Sequence, residues 1–261
     1  MIISTFLFND EFDMLSIFLE ISNSYVDKWI ILEGNKTFSG KHKKYNLKNN
    51  LHQFEKFKNK IILMNLEIPD GYKDWNCDNY SRISMQKEIN KFHDNDIIIH
   101  GDVDEVLNPL EIPNIIEMMD KNDKPVALTI DMFIYKFDQR VMRKWKGPVL
   151  SRKRMFQNPQ QLIKGDQQKR KNRNHCVHYD KPAGWHWTWI GNDERIKNKV
   201  ESCIESKTRD PNQVLEAFKR LDAASAINHK CATTYDPNPQ YPAVVLEVIK
   251  KYPYWTKLKK N

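Results

Sequence analysis

Residues 97–112, IIIHGDVDEVLNPLEI, set Asp102, Asp104 and Glu105 directly after an unbroken apolar run. Carboxylates gathered where a buried strand surfaces repel one another and require a compensating positive charge. In an open parallel sheet, ligands bind beyond the carboxyl ends of the strands, and these acids fall there if DIIIHG is a central strand. Residues i and i+2 of an extended backbone share a side, so Asp102 and Asp104 can converge on one hard cation while Val103 turns into the core. Mg²⁺ or Mn²⁺ takes such oxygen ligands and completes its shell with water and phosphate oxygens, so a cation here would also hold a diphosphate. Asp-x-Asp is a common pattern, however, and a solvated turn or a helix cap after a strand accounts for it as well.

The elements that must position these acids alternate between strand and helix. IISTFLF reads as a first strand. DEFDMLSIFLEISNSY follows with Leu15, Phe18 and Leu19 at helix spacing. KWIILEG is a second strand, NKIILMNLEIP contains a third, and NDIIIHGD is a fourth. DNYSRISMQKEINKFH reads as a helix capped by Asp78. Short, nearly continuous apolar strands separated by helices predict an α/β fold with a parallel sheet covered on both faces.

Beyond the acids, Ile112, Ile115, Ile116 and Met119 repeat at helix spacing, with Pro113 in the first turn. KPVALTIDMFIYKF, GPVLSRKRMF and AGWHWTWIG read as strands. NDERIKNKVESCIES, opened by Asn192 or Asp193, NQVLEAFKRLDAASAI and PAVVLEVIKKY read as helices. The basic run Lys169–Arg173 is either a solvated loop or a lid over an anionic substrate. HCVH, residues 175–178, lacks two further ligands at zinc-site spacing and is set aside.

The 261 residues carry 42 Lys+Arg against 34 Asp+Glu, a net charge of +8 that suits an anionic partner. No run of about 18 apolar residues is present, so no membrane span is expected. MIISTFLFNDEFDML lacks the basic start and cleavage site of a signal peptide. Cys77, Cys176, Cys203 and Cys231 form no CxxC pair and are expected as free thiols. A cytoplasmic location is the expectation.

Four blocks in order resemble glycosyltransferase family 17, the family of the β-1,4-mannosyl-glycoprotein N-acetylglucosaminyltransferase. They are FNDEFDMLSIFLEISNSYVDKWIILEGNKTFSGKHK, WNCDNYSR, DIIIHGDVDEV and KPAGWHWTWIGNDERIKNKVES, followed by a YPAVVLEVIKKYPYW tail. The chain departs from the family pattern at Asp78 and Ser81, and at Glu205, which stands near an expected His. The resemblance implies a GT-A-type fold: residues 1–261 as one domain, 1–108 the nucleotide-sugar half, 109–261 the acceptor half with C-terminal helices. It also implies an inverting transferase that moves a sugar, GlcNAc from UDP-GlcNAc by the family's suggestion, to a glycan hydroxyl. Asp102 and Asp104 then correspond to the family's metal-binding Asp-x-Asp for Mn²⁺ or Mg²⁺; His186 is a candidate for the metal, for the diphosphate, or for a hydrogen bond inside the core.

Inversion by direct displacement needs a carboxylate to take the acceptor's proton. Among Glu105, Asp131, Asp180, Asp193 and Glu194, Glu194 is favoured and Asp193 is second. Both follow the aromatic strand, an arrangement that resembles the Trp- and Gly-rich acidic segment of β-1,4-galactosyltransferases. As an acidic pair opening a helix they also read as dipole-complementing charge. Trp185, Trp187 and Trp189 alternate and are expected on one face, some in the core and one lining the acceptor site, with Trp185, Trp187 and Glu105 assigned to the acceptor. Asn9, Glu11, Glu33, Lys43, Arg82 and Asp102 are assigned to the nucleotide sugar, Asp13 being a further acid after the first strand; Glu11 and Asp13 also read as charge at a helix start, and Arg82 either reaches a phosphate or pairs with Asp102. Two other classes remain open: a non-catalytic carbohydrate-binding protein on a degenerate transferase fold, and a metal-dependent nucleic-acid enzyme, which the basic run would suit but the Trp-rich strand would not.

Overall fold

A computed structural model describes residues 1–156, 175–203, 209–220, 233–235 and 239–255. The Lys169–Arg173 run, Glu205 and Cys231 lie outside the described residues. Strands β1 (Ile2–Phe8), β2 (Lys28–Gly34), β3 (Ile61–Leu66) and β4 (Ile97–His100) are all parallel, in the spatial order β3-β2-β1-β4. Between them run α1 (Phe12–Ser22), α2 (Asn46–Asn50), α3 (Asp74–Ser84) and α4 (Gln86–Ile89). The side chains of β2 show why this segment must be a strand covered on both faces. Trp29 and Ile31 pack with Phe6, Leu15 and Phe18 on one side, while Ile30 and Leu32 pack with Met85 and Ile89 on the other.

The chain then crosses to the far side of β4. Strand β5 (Glu105–Leu107) leads to α5 (Ile112–Asn122), whose Ile112, Ile115 and Met119 cover Ile97, Ile99, Leu128 and Leu150. Strands β6 (Val126–Ile134) and β7 (Gln139–Arg152) form an antiparallel pair, and β7 joins the antiparallel edge of β4. Strand β8 (Val177–Thr188) runs parallel to β6 and antiparallel to β5. Among the described residues one sheet thus runs β3-β2-β1-β4-β7-β6-β8-β5, with β9 (Thr233–Tyr235) beside β7. Helices α6 (Asp193–Ser202) and α7 (Pro211–Lys219) pack on the end of β6, and α8 (Ala243–Ile249) packs against α1.

Several boundaries differ from the sequence reading. Helix α3 begins at Asp74, so Asp78 is not its cap; it sits inside the helix, buried, one turn before Arg82. Strand β5 was not expected; its three residues are too few to show alternation. Strand β8 starts at Val177, before the expected AGWHWTWIG segment. Asn192 does cap α6, its Oδ1 accepting the Arg195 N–H at 2.9 Å, and Asp210 caps α7 in the same way.

Strand β8 divides its aromatic residues between two faces. Trp185 and Trp187 lie stacked at 5.6 Å in the core beneath α1 and α8. Tyr241 closes this layer, accepting from the Trp187 indole at 3.1 Å and donating to the Phe137 carbonyl at 2.6 Å. A buried Trp finds a hydrogen-bond partner in this way. Trp189 does not share their face. It has left the strand with a φ of 60° and packs against Phe218 in a separate cluster. Trp185 and Trp187 are therefore core residues rather than an acceptor platform.

The close approach of β5 to β8 rests on Gly184. A Cβ there would stand 2.2 Å from the Val106 carbonyl oxygen and 2.7 Å from the Leu107 Cα, both backbone atoms that cannot swing aside. Gly184→Ala should therefore destabilise the fold by about 2 kcal/mol, in the range of overpacking substitutions, read as a lowered denaturant midpoint. An unchanged midpoint would mean that β5 yields freely.

Candidate active site at the carboxyl edge of the sheet

The strand order reverses between β1 and β4: β2 and β3 extend one way from β1, and β4 begins the other side. A crevice opens at such a reversal, beyond the carboxyl ends of the two strands. Residues 9–11 leave β1 there and residues 101–104 leave β4 there. Four carboxylates, Asp10, Glu11, Asp102 and Asp104, therefore meet at one edge.

The acids after β4 stand in a tight turn, not in extended backbone. The Glu105 N–H donates to the Asp102 carbonyl at 3.0 Å, and the Glu105 carboxylate accepts the Asp102 N–H at 3.1 Å. Gly101 leaves room for that carboxylate: a Cβ would come within 2.9 Å of both Glu105 Oε2 and Pro148 Cγ. Val103 does turn into the core, as the sequence reading expected. The two aspartates are then held by different partners. Asp102 accepts from Arg82 Nη2 at 2.6 Å, and Arg82 Nε is held by Asp78 at 2.9 Å. Asp104 faces His186 Nε2 at 3.4 Å and Lys199 Nζ at 3.5 Å.

Helix α6 supplies the remaining charge. Arg195 and Lys199, four residues apart, share a helix face. Arg195 reaches Asp10 at 2.6 Å and Glu11 at 3.2 Å. Glu11 also accepts the N–H groups of Asn9 and Asp10, at 2.9 and 3.1 Å. Burial pushes the Asp10 carboxyl up and the neighbouring Glu11 adds to it. The same burial acts on Glu11, but Arg195, Lys199 and the two backbone N–H groups outweigh it and hold Glu11 below its ordinary value. Burial likewise opposes ionisation of Asp104, yet His186, Lys199 and Arg195 hold it well below the ordinary carboxylate range. For Arg82, burial disfavours the charge, and Asp102 and Asp78 overcome it.

The other predicted site residues fall into three groups. Glu33, with no exposed surface, is spent on structure: its oxygens accept the N–H groups of Asn46, Leu47 and Lys48, capping α2, and pair with Lys43 at 2.9 Å. It leaves no surface for a ribose, and Lys43 bonds Glu33 and the Asn9 carbonyl rather than standing open to a phosphate. Glu105 is also buried, its carboxylate accepting from the Trp145 indole, so it does not face an acceptor. Its backbone pairs with His186 across β5 and β8, and Trp145 lies 4.2 Å from the His186 ring. His186 Nδ1 is buried with no hydrogen-bond partner among the described residues. Asp193 pairs with Lys219 at 3.1 Å, whereas Glu194 is exposed at the start of α6 with no ion pair among the described residues. Asp131 is held by Arg140 and Lys144, and Asp180 is exposed on β8.

Sequence reasoning missed Asp10, Trp145, Arg195 and Lys199. It also passed over Trp75, which is 45% exposed. Trp75 lies on the same side of α3 as Asp78 and Arg82, by the i, i+3, i+7 spacing. The cue for Arg195 and Lys199 was their spacing on a helix following the aromatic strand, but charged pairs at i, i+4 are ordinary on solvated helices.

Among the described residues no three His, Cys, Asp or Glu side chains gather into a metal-holding group. The expected set of Asp102, Asp104 and His186 is thus not a three-ligand cluster. The donor chemistry still fits Mg²⁺ or Mn²⁺, which is held through one or two carboxylates with phosphate oxygens and water completing the shell. Asp102 and Asp104 are the residues that would hold it.

Because Asp104 is depressed below 3.8, the stability it contributes is fully present above that value and is lost as pH falls through its folded-state pKa. Asp10, raised by burial, acts in the opposite sense. Between about pH 5 and about pH 2, wild type should lose more unfolding free energy than Asp104→Asn, although the variant starts lower. Parallel pH profiles would remove Asp104 as the source.

Solved structures similar to this chain include a 4-diphosphocytidyl-2C-methyl-D-erythritol synthase, at 11% identity and a TM-score of 0.44, covering 74% of this chain and 90% of that one. The enzyme of that description from Anaerococcus prevotii DSM 20548 gives 12% identity and a TM-score of 0.40, over 69% and 87% of the two chains. The 2-C-methyl-D-erythritol 4-phosphate cytidylyltransferase of Francisella tularensis gives 13% identity and 0.39, over 74% and 96%. No curated protein matches the chain. Among the described residues no helix is long and apolar enough to cross a membrane. The family model of glycosyltransferase family 17 matches residues 1–190, which takes in the strands of the crevice, the Asp102–Asp104 turn and the His186 strand; the chain belongs to glycosyltransferase family 17 and has its α/β, GT-A-like fold.

Proposed function

We propose that this glycosyltransferase moves a sugar with inversion from a nucleoside diphosphate to a glycan hydroxyl, using Mn²⁺ or Mg²⁺ held by Asp102 and Asp104. UDP-GlcNAc is the donor suggested by the family. The observation that carries the reading is the placement of the Asp102–Asp104 turn at the reversal of strand order, ringed by Arg82, Arg195, Lys199 and His186. When held by Asp102 and Asp104, the cation would supply the positive charge that stabilises the leaving diphosphate.

The chain's own residues divide the remaining work. Arg82 fixes the direction of Asp102 through its contacts to Asp78 and Asp102. Arg195 ties α6 to the end of β1 and so sets the width of the crevice. Glu194, exposed one residue earlier, is the base: it takes the acceptor proton as the acceptor oxygen bonds the anomeric carbon and the bond to phosphate breaks. Asp193 is the weaker candidate because Lys219 engages it. With Trp185 and Trp187 buried, Trp75, exposed one turn before Asp78 on α3, is the ring assigned to an acceptor sugar.

A second reading has one observation in its favour. Both aspartates are already neutralised within the chain, Asp102 by Arg82 and Asp104 by Lys199, as a carbohydrate-binding protein without turnover would require. Thermal unfolding against a panel of nucleotide sugars, with and without Mn²⁺, tests the first reading. One donor should stabilise the protein only with Mn²⁺, by about 2.7 kcal/mol at a hundredfold excess over its Kd. Asp104→Asn should keep its fold and lose that shift; the shift persisting in this variant would overturn the metal assignment. Glu194→Gln should keep the shift but slow transfer by roughly a hundredfold or more, the scale of a lost general base. Unchanged transfer would return Glu194 to a helix-start charge. Donor binding without transfer in wild type would favour the second reading.

A further inference from the structure

The counter-ions of the two aspartates are unequal. Arg82 meets Asp102 at 2.6 Å with a buried, planar guanidinium pinned at its other edge by Asp78. Arg195 is likewise fixed between Asp10 and Glu11. Lys199 is held more loosely. Its ammonium stands 3.5 Å from Asp104, 3.5 Å from the Thr188 hydroxyl and 5.2 Å from the Trp189 ring centre, and its side chain keeps 19% of its exposure. A lysine is a point charge on a flexible four-carbon stem, whereas an arginine fork is committed to one plane. The ammonium lies over the Trp189 face in this same position, an attraction it can keep as it moves off Asp104, and the left-handed backbone of Trp189 directs the chain from β8 into α6 beneath it.

A divalent cation arriving at Asp104 would face the Lys199 ammonium at close range. The two repel, so one must leave, and Lys199 is the mobile one. The donor's diphosphate would bring the anionic oxygens that the displaced ammonium then lacks. We propose that Lys199 is an exchangeable counter-ion: it neutralises Asp104 in the cation-free protein and turns to the donor's diphosphate when a divalent cation takes that carboxylate. Lys199 thereby couples the two binding events. The proposal rests on the cation reading of the site given above, and its signature is a pair of effects of opposite sign.

Lys199→Met removes a competitor for Asp104 and also a ligand for the diphosphate. Mn²⁺ uptake alone, followed by the resonance of free Mn²⁺, should tighten roughly threefold, the scale of one partly solvated ion pair. UDP or GDP binding at saturating Mn²⁺, followed by titration calorimetry, should weaken about tenfold or more, as for a lost charge-assisted hydrogen bond. Lys199→Arg should restore diphosphate binding to near the wild-type value. A merely structural lysine would weaken both together, and that result overturns the proposal, as does Mn²⁺ binding that is no tighter in the Met variant. Should the Met variant fail to fold, Lys199→Gln carries the same two signs. Wild type that takes up Mn²⁺ but neither diphosphate also overturns the proposal. Wild type that takes up no Mn²⁺ would remove the cation reading itself, and the two failures are thus distinct.

Discussion

Charge compensation at the carboxyl edge of the sheet is the constraint on which the arrangement depends. Asp10, Glu11, Asp102 and Asp104 converge there because two parallel strands end side by side. Leaving a partly buried carboxylate uncompensated costs several kcal/mol, so the fold must bring positive charge to that edge. It does so from both flanks. Arg82 arrives on α3, while Arg195 and Lys199 arrive on α6, 113 and 117 residues later in the chain. The contacts of α6 with the ends of β1 and β4 are therefore what closes the crevice. The docking of this helix is an electrostatic requirement as well as a hydrophobic one, since Ile196 and Val200 seat its other face.

The same constraint explains how β8 can serve core and site at once. With a period of two, it sends Trp185 and Trp187 into the aromatic layer that joins α1 to α8, and turns His186 toward Asp104. The rigidity of the stacked tryptophans fixes the height of His186 and, through the Trp187 N–H to the Asp104 carbonyl at 2.8 Å, the height of the acidic turn as well. Glu105 closes the turn from below, bonded to the Asp102 N–H and the Trp145 indole. These three acids do different work. Asp102 and Asp104 present oxygen toward the crevice, whereas Glu105 holds the loop that presents them.

Much of this was legible in the residues. The parallel strands are apolar runs with little ambiguity, and the acids after β4 announce a strand end facing polar surroundings. Which face of β8 the tryptophans would take was not legible: alternation fixes that Trp185 and Trp187 share a side, but not which side is covered. Glu33 misled because α2, whose N–H groups it caps, has five residues and no apolar period. Arg195 and Lys199 were hidden for the opposite reason. A helix bearing charges at i, i+4 looks like any solvated helix, and only the fold shows that its partners follow strand ends 185 and 95 residues away.

A neutralised acidic turn has a consequence for how such a site persists. Carboxylates awaiting a cation would destabilise the protein whenever the cation is absent, and the usual remedy is to leave them exposed to water. Here Asp104 keeps only 15% of its side-chain exposure, so water alone does not suffice and the chain supplies His186 and Lys199. Those groups make the turn stable without a ligand, but each is also a competitor that a ligand must displace or recruit. The looser the intramolecular partner, the smaller that penalty. The contrast between the 2.6 Å clamp on Asp102 and the 3.5 Å contact on Asp104 follows from that balance: one carboxylate is oriented and the other is left exchangeable.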